Sequence, residues 1–344
     1  MEKNNFGIKA FCSCIRNSHF VKMLLDMQEL EFVSVHPQAG DVLVLKILNC
    51  DVGYGKLEIE TGENYSYKNG DFVVGVLGNR YSGTNVYGEL SGKPLQKGDK
   101  LYQLSIGGIF SESAYVENSH RGESATYSEV VGFVLNKDTK RILNIRDINN
   151  LNYKSDKITI EKNYFIFGTS AEVGKTTFVA NLCKYLKSLN KKVACAKVCG
   201  TGRLKDKFNY KNAGADFVVD YVDIGYSSTY KLDSKKIDNM IEKLFNLCNE
   251  QGEYNLYEVG GDMLEGGADR ILEFATKNKA YIFVIVNDAM GAMTAQRLLR
   301  DYKKVLFVAW KPNIKALKER IGSKVYNIYS YENFEQFGEL LYDI

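Results

Sequence analysis

The chain has 344 residues, a length that suggests two domains. Its 45 basic and 42 acidic side chains nearly balance, so neither a nucleic acid nor an anionic membrane surface is expected as a partner. No apolar run approaches the roughly 18 residues that a membrane helix needs, and seven scattered cysteines are typical of reduced thiols in a cytoplasmic protein.

Residues 1–150 predict a β-rich domain that is preceded by a short helix. Apolar residues recur at three- and four-residue steps between positions 20 and 30, which indicates an amphipathic helix. After it come short runs rich in β-branched residues, separated by glycine-containing turns. We therefore expect a mainly antiparallel barrel or sandwich. The main predicted strands are residues 42–48, 56–60, 72–77, 101–104 and 130–135.

Residues 158–344 alternate between apolar runs and helical periods, and a polar stretch at 145–157 joins them to the first domain. Long helical periods occur at 176–189 and 235–249. This alternation predicts an α/β domain with a parallel sheet covered by helices on both faces. Its predicted strands are residues 164–167, 193–196, 256–257, 281–286 and 305–308.

A phosphate-binding loop follows the first of these strands. The sequence Gly-Thr-Ser-Ala-Glu-Val-Gly-Lys-Thr-Thr begins at Gly168 and leads into a helix. Backbone amides and the helix N-terminus in such a loop bind phosphate oxygens, the lysine reaches the β- and γ-phosphates, and the following hydroxyl binds Mg²⁺. We expect ATP and Mg²⁺ as ligands. The predicted nucleotide-binding residues are Thr169, Ser170, Ala171, Glu172, Val173, Gly174, Lys175, Thr176 and Thr177.

The amino-acid sequence of the loop resembles that of a known family. Gly174 follows Gly168 by six positions, where the common pattern has five, and Thr169 replaces the usual first glycine. This loop resembles that of dethiobiotin synthetase and is similar to that of the cobyrinic acid a,c-diamide synthases, within the P-loop class that includes the MinD/ParA ATPases. The resemblance covers roughly residues 158–344 and implies a homodimer.

The segment after the second predicted parallel strand extends this resemblance. Residues 195–202 resemble the Lys-Pro-Val-Ala-Ser-Gly segment of dethiobiotin synthetase, although the proline is absent here. The resemblance implies that Lys197 is a catalytic residue, like Lys175, and contacts both the substrate and the transferred phosphoryl group. It also implies that Gly200 and Thr201 lie beside the substrate.

Two carboxylates and an amide complete the set that the resemblance implies. Asp216 falls about where the family has a Mg²⁺-binding aspartate. Residues 257–262 are similar to the family's Glu-Gly-Ala-Gly-Gly, which implies that Glu258 joins Thr176 at the metal. A carboxylate at the end of a parallel strand also points into the ligand crevice of an open α/β sheet, and Mg²⁺ prefers such oxygen ligands. Asn313 falls near the family's base-recognition loop and is a candidate to bind adenine.

The enzymes of this group transfer the γ-phosphoryl of ATP to a carboxylate or carbamate oxygen, and a nitrogen nucleophile then attacks the mixed anhydride. The resemblance thus implies an ATP-dependent ligase that acts on a small-molecule carboxylate or amine. Phosphoryl transfer needs positioning and charge neutralisation, which the two lysines and Mg²⁺ supply. A nucleotide-driven switch that acts on a protein partner and a small-molecule kinase remain alternatives. In the β-rich half, Arg80 at a glycine-rich loop is a candidate to bind a carboxylate.

Overall fold

The computed structural model of the chain describes residues 7–27, 36–50, 54–82, 86–116, 125–136, 139–154, 162–309, 314–322, 325–327 and 334. The chain divides into two compact units. The β-rich unit comprises Met1–Leu151, Thr201–Lys205 and Tyr221–Lys231. The parallel-sheet unit comprises Asn152–Gly200, Asp206–Asp220 and Leu232–Ile344. Two short segments from the second half of the chain therefore belong to the β-rich unit.

The β-rich unit is built around a six-stranded sheet with the order β1-β5-β2-β10-β7-β8, and β8 also pairs with β5, so that the sheet closes on itself. The pairings are antiparallel except for β1–β5 and β5–β8. The β-rich domain predicted from the sequence is confirmed, and it includes one helix near its start. The elements are β1 Ala10–Phe11, α1 Ser18–Met27, β2 Val42–Asn49, β3 Lys56–Glu58, β4 Asn64–Ser66, β5 Phe72–Leu77, β6 Val86–Tyr87, β7 Lys100–Ser105, β8 Ile109–Ser111, β9 Tyr115–Val116, β10 Tyr127–Phe133 and α2 Ile145–Ile148.

The core of the β-rich unit lies along the paired strands β2 and β5. The first four residues of β2, Val42 to Leu45, are all fully buried, so both faces of this strand are covered. Gly75 in β5 is required for packing, because a Cβ there would lie 2.6 Å from the ring of Phe110. In α1, Val21 and Leu24 face the interior.

Within the described residues, the sheet of the parallel-sheet unit has seven strands in the order β13-β12-β14-β11-β15-β16-β17, and their pairings are parallel. The predicted α/β architecture is confirmed. The elements are β11 Asn163–Gly168, α3 Lys175–Ser188, β12 Val193–Lys197, α4 Lys205–Asn212, β13 Phe217–Asp220, α5 Ser234–Gln251, β14 Tyr254–Glu258, α6 Ala268–Lys277, β15 Tyr281–Ile285, α7 Ala289–Leu298, β16 Val305–Ala309, α8 Ile314–Ile321 and β17 Val325–Asn327.

The central strands of this sheet are apolar along their whole length because helices cover both faces. Every residue of β11 and of β14 is buried, and the rings of Phe165 and Tyr257 stack across the two strands at 4.5 Å. The order of the strands places the carboxyl ends of β14 and β15 on either side of β11. Ligands bind at this edge in open α/β sheets. None of the helices in the described part of the chain has the length and apolar content that crossing a bilayer requires.

Candidate nucleotide-binding site

The loop between β11 and α3 encloses the side chain of its own lysine. A Cβ on Gly168 would lie 2.9 Å from Lys175 Nζ, so glycine is needed where the lysine folds back over the strand end. Gly174 has a φ of 101° and precedes the first residue of α3. Because glycine has no side chain to cap the helix, the first amides of α3 are left for another acceptor, and phosphate oxygens fit that need.

The front of the loop is anchored to the neighbouring strand. The amide of Thr169 donates to the carbonyl of Ile285 at 3.0 Å, and the amide of Asn287 donates to Thr169 Oγ1 at 3.2 Å. Glu172 has a φ of 58° and is exposed at the tip of the loop, whereas Val173 is buried beneath it. Of the predicted residues, 169–174 thus form one loop after β11, and 175–177 are the first residues of α3.

Lys175 is held by two backbone carbonyls at the base of the loop. Its Nζ donates to Ser170 O at 2.8 Å and to Gly261 O at 2.5 Å. Only 5% of the residue is exposed, and burial lowers the pKa of its ammonium group to about 8. A phosphate that approached this nitrogen would supply the negative charge that the carbonyls lack.

A group of four side chains, here called the carboxylate cluster, lies next to the loop and consists of Thr176, Lys197, Asp206 and Glu258. The Thr176 hydroxyl lies 3.0 Å from Glu258 Oε1 and 3.2 Å from Asp206 Oδ1. Lys197 Nζ pairs with Asp206 Oδ2 at 2.9 Å and also with Glu258. The structure therefore brings together the predicted residues Lys175, Thr176, Lys197 and Glu258 at the carboxyl edge of the sheet.

The charges of the cluster support one another in a buried setting. Burial by itself would lower the pKa of Lys197, but the carboxylates of Asp206 and Glu258 outweigh it and raise that pKa above its ordinary value. The Tyr210 hydroxyl donates to the second oxygen of Glu258. Burial and then the charge of Glu258 raise the pKa of Tyr210, so it stays a hydrogen-bond donor.

The oxygen atoms of the cluster fit a magnesium ion. Mg²⁺ takes hard oxygen ligands and is usually held by one or two carboxylates together with phosphate oxygens and water. Asp206, Glu258 and the Thr176 hydroxyl offer such a set. No group of three or more His, Cys, Asp or Glu side chains suited to a metal occurs among the described residues. A Mg²⁺ ion at this edge would therefore take its remaining ligands from a nucleotide and from water.

Asp216, which the resemblance implied as a metal ligand, lies elsewhere. Its carboxylate accepts from the Val193 amide at 2.7 Å, at the amino-terminal end of β12, and pairs with Lys187 Nζ at 2.7 Å. The aspartate beside Thr176 is instead Asp206, in the first turn of α4. Sequence reasoning missed Asp206 and Tyr210; their spacing of four residues, which puts both on one face of a helix, was the available signal.

The remaining predicted residues are spread over the structure. Arg80 belongs to the β-rich unit, where its Nη1 donates to Tyr54 OH at 2.8 Å and to the Leu104 carbonyl. Thr201 belongs to the same unit and forms an antiparallel β-bridge with Ser228. Gly200 belongs to the parallel-sheet unit and lies beside Gly260, where a Cβ would come 3.3 Å from Gly200 Cα. Asn313 lies outside the described residues.

A buried parallel strand, a glycine loop with an enclosed lysine, and a helix that begins with Lys-Thr together define a P-loop nucleotide-binding fold. Residues 164–325 match the family model described as CbiA, the CobQ/CobB/MinD/ParA nucleotide binding domain. The match spans a little under half of the chain, and this part of the chain is similar to the nucleotide-binding domain of that family. No curated protein matches the chain in sequence.

Several solved structures are similar to this chain. A ParA family ATPase from Chlorobium tepidum TLS is 12% identical with a TM-score of 0.35, covering 53% of this chain and 89% of that one. The signal recognition particle 54 kDa protein from Aeropyrum pernix K1, in complex with GDP, is 16% identical with a TM-score of 0.34, covering 52% and 43%. The kinase domain of the Escherichia coli tyrosine kinase ETK is 12% identical with a TM-score of 0.33, covering 51% and 73%.

Proposed function

We propose that the chain is an ATP- and Mg²⁺-dependent enzyme that transfers the γ-phosphoryl group to a small carboxylate or carbamate, which a nitrogen nucleophile then attacks. The observation that carries the proposal is Lys197. It adds a second, mostly buried lysine next to the phosphate loop. Burial is the main cause of the lowered pKa of Lys175, and the charge of Lys197 adds to that lowering. Phosphoryl transfer to a weak oxygen nucleophile benefits from two such cations, since the negative charge on the transferring group must be neutralised.

The side chains have separate tasks in this proposal. Lys175 leaves its two carbonyl partners to bind the β- and γ-phosphates. Thr176, Asp206 and Glu258 would hold a Mg²⁺ ion, which would neutralise phosphate charge. Lys197 then exchanges part of its pairing with the carboxylates for the acceptor carboxylate and the transferred phosphoryl group. Tyr210 keeps Glu258 in place during that exchange.

A nucleotide-driven switch is a second candidate function, and the path of the chain favours it. Two connections that leave the carboxyl edge of the parallel sheet, Thr201–Lys205 after β12 and Tyr221–Lys231 after β13, belong to the β-rich unit. Movement of these connections on nucleotide binding would therefore reach the other unit directly. A partner protein that binds the β-rich unit would then respond to the nucleotide state.

ATP turnover of the purified chain across a panel of small carboxylates and amines distinguishes these candidates. ADP release that depends on a carboxylate, together with a new amide product detected by mass, supports the ligase. A stable acyl phosphate without an amide identifies a kinase. Turnover that no small molecule stimulates but a protein partner does would replace the ligase with the switch.

The role of Lys197 is tested by Lys197→Met with Lys187→Met as the matched control, because Lys187 also pairs with an aspartate but lies 30% exposed. We expect Lys197→Met to lower kcat at least about 100-fold, in the range for loss of one electrostatic donor to the transition state. Lys187→Met should keep kcat. Equal rates in the two variants would remove Lys197 from the chemistry.

A further inference from the structure

We propose that Glu58 of the β-rich unit is a positioning residue for magnesium–nucleotide binding: it holds the start of α4 and thereby sets where Asp206 lies. This inference rests on the Mg²⁺-dependent nucleotide binding proposed above, and it does not depend on which acceptor is phosphorylated.

Glu58 ends strand β3 as a buried carboxylate with few but well-placed partners. Only 4% of the residue is exposed. Its Oε1 accepts from Ser13 Oγ and from the Leu204 amide, each at 2.7 Å, while the guanidinium of Arg203 lies 3.7 Å from Oε2. Buried carboxylates are rare unless their charge is satisfied in this way. The hydrogen bond from the Leu204 amide is thus one of the two short hydrogen bonds that satisfy the buried Glu58 carboxylate. The same bond holds the backbone at Leu204.

The backbone ahead of Leu204 is clamped within the same unit. The Gly202 amide donates to Ser227 O at 2.9 Å, and Ser105 Oγ donates to Gly202 O at 3.3 Å. A Cβ on Gly107 would lie 2.0 Å from Gly202 O, so two backbones are in direct contact there. Segment 201–205 therefore has little freedom to shift while these contacts remain.

Helix α4 begins directly after this clamp and depends on it. Leu204 is followed by Lys205, the first residue of α4, and then by Asp206. The helix has eight residues, and Tyr210 is the one buried residue among them. Helices this short are marginal without outside support. The Glu58 carboxylate supplies support at the amino end, where negative charge is favourable for a helix.

The position of Asp206 depends on this support for the first turn of α4. It lies two residues after Leu204, and from there its carboxylate contacts Thr176 Oγ1 and Lys197 Nζ. Without Glu58, the first turn of α4 would fray and Asp206 would leave the carboxylate cluster. Lys197 would keep only Glu258 as a partner, and a magnesium ion would lose one of its two carboxylates.

The effect is measured by titrating Mg²⁺ into the full-length chain with a fluorescent ATP analogue. We compare Glu58→Ala with Glu58→Gln, whose amide oxygen can still accept from Leu204. The matched control is Glu60→Ala, which removes a nearby carboxylate that instead accepts from Ser18. We expect Glu58→Ala to raise the Mg²⁺ midpoint about tenfold, as loss of an outer-shell partner does, and to leave the metal-free affinity for the analogue unchanged. Glu58→Gln should recover most of the shift.

Hydrogen exchange gives a second readout by reciprocal linkage. Mg²⁺ with the analogue should slow exchange of the Leu204 amide in the wild-type chain, and Glu58→Ala should abolish that slowing. If Glu58→Ala does not fold, Gly107→Ala displaces the same segment and should raise the Mg²⁺ midpoint as well. Equal Mg²⁺ midpoints in Glu58→Ala and Glu60→Ala, or equal losses with and without Mg²⁺, overturn the inference. Normal Mg²⁺ behaviour without any amide product would instead overturn only the proposed reaction.

Discussion

The two edges of the parallel sheet carry similar ion pairs in different surroundings. At the carboxyl edge, the side chains of Lys197, Asp206 and Glu258 are 14%, 25% and 1% exposed. At the amino edge, Lys187 and Asp216 form an equally short pair but are 30% and 34% exposed. Water therefore screens the second pair more than the first. The comparison shows that burial and neighbours, more than the pairing itself, decide which charges form a site.

This contrast also explains how each edge responds to a ligand. At the carboxyl edge a hydroxyl, two carboxylates and two lysines lie close together. A bound metal ion and phosphates can therefore change which of these side chains pair with one another. At the amino edge the pKa of Asp216 is lowered, because hydrogen bonds from Lys187 and Val193 outweigh the effect of burial. Those partners anchor the start of β12.

The largest effect is expected for Glu258→Gln. This change removes the negative charge that is closest to Lys197 and leaves a buried cation with Asp206 alone. Breaking a buried pair from one side costs about 3 kcal/mol or more of the free energy of unfolding. Urea denaturation of the variant and of the wild type measures the difference. A loss below about 1 kcal/mol, typical of an exposed pair, would mean that the carboxyl edge is as screened as the amino edge.

Lys175→Met should separate binding from stability. A charge-assisted hydrogen bond to phosphate contributes about 1.5–3 kcal/mol, so the affinity for ATP should fall roughly 10- to 100-fold. The free energy of unfolding at neutral pH should stay the same or rise, because burial disfavours the charged lysine. Calorimetric titration with ATP and thermal unfolding of the same samples give both values. Unchanged affinity would contradict the assignment of the loop.

The pH dependence of ATP binding should follow from the lowered pKa of Lys175. Below about pH 8 the free protein already carries the charge that phosphate needs. Above that pH the lysine must take up a proton to bind, so the affinity should fall by up to about tenfold per pH unit. In the unfolded chain the lysine has its ordinary pKa of 10.5. Between about pH 8 and pH 10.5 the unfolded chain therefore binds this proton and the folded chain does not, so the free energy of unfolding rises with pH. Lys175→Met should lack both slopes.

The smallest effect is expected for Asp216→Asn at the amino edge. Because this pair is about one-third exposed, its loss should lower the free energy of unfolding by about 1 kcal/mol or less. ATP affinity should not change. A destabilisation as large as that of Glu258→Gln would remove the distinction between the two edges.

The parts of the site that are local in sequence could be predicted. The phosphate loop is readable because strand, glycine turn, lysine and helix follow one another within a few residues. Glu258 is readable because a carboxylate at the carboxyl end of a parallel strand points into the ligand crevice of an open α/β sheet, whereas Lys197 was predicted through the resemblance of its segment to dethiobiotin synthetase. Apolar residues that recur with a period of two or of 3.6 residues likewise identify most of the strands and the long helices.

The parts that depend on distant contacts could not be predicted. Asp206 contacts Thr176, and the backbone two residues before it donates to Glu58, a residue far away in the sequence. The one local signal for Asp206 is its four-residue spacing from Tyr210, and Asp216, which stands beside a small residue at a plausible spacing, gave the stronger match to the family. The assignment of segments 201–205 and 221–231 to the β-rich unit rests on backbone hydrogen bonds. Such bonds leave no periodic pattern in the sequence.

The most direct test of the carboxyl edge as the magnesium–nucleotide site compares Asp206→Asn with Asp216→Asn in one Mg²⁺ titration of ATP-analogue binding. We predict that Asp206→Asn raises the Mg²⁺ midpoint roughly tenfold or more, as the loss of a ligand or its close partner does, while Asp216→Asn follows the wild-type curve. A shift in Asp216→Asn with none in Asp206→Asn would contradict this assignment and place the metal with the other aspartate.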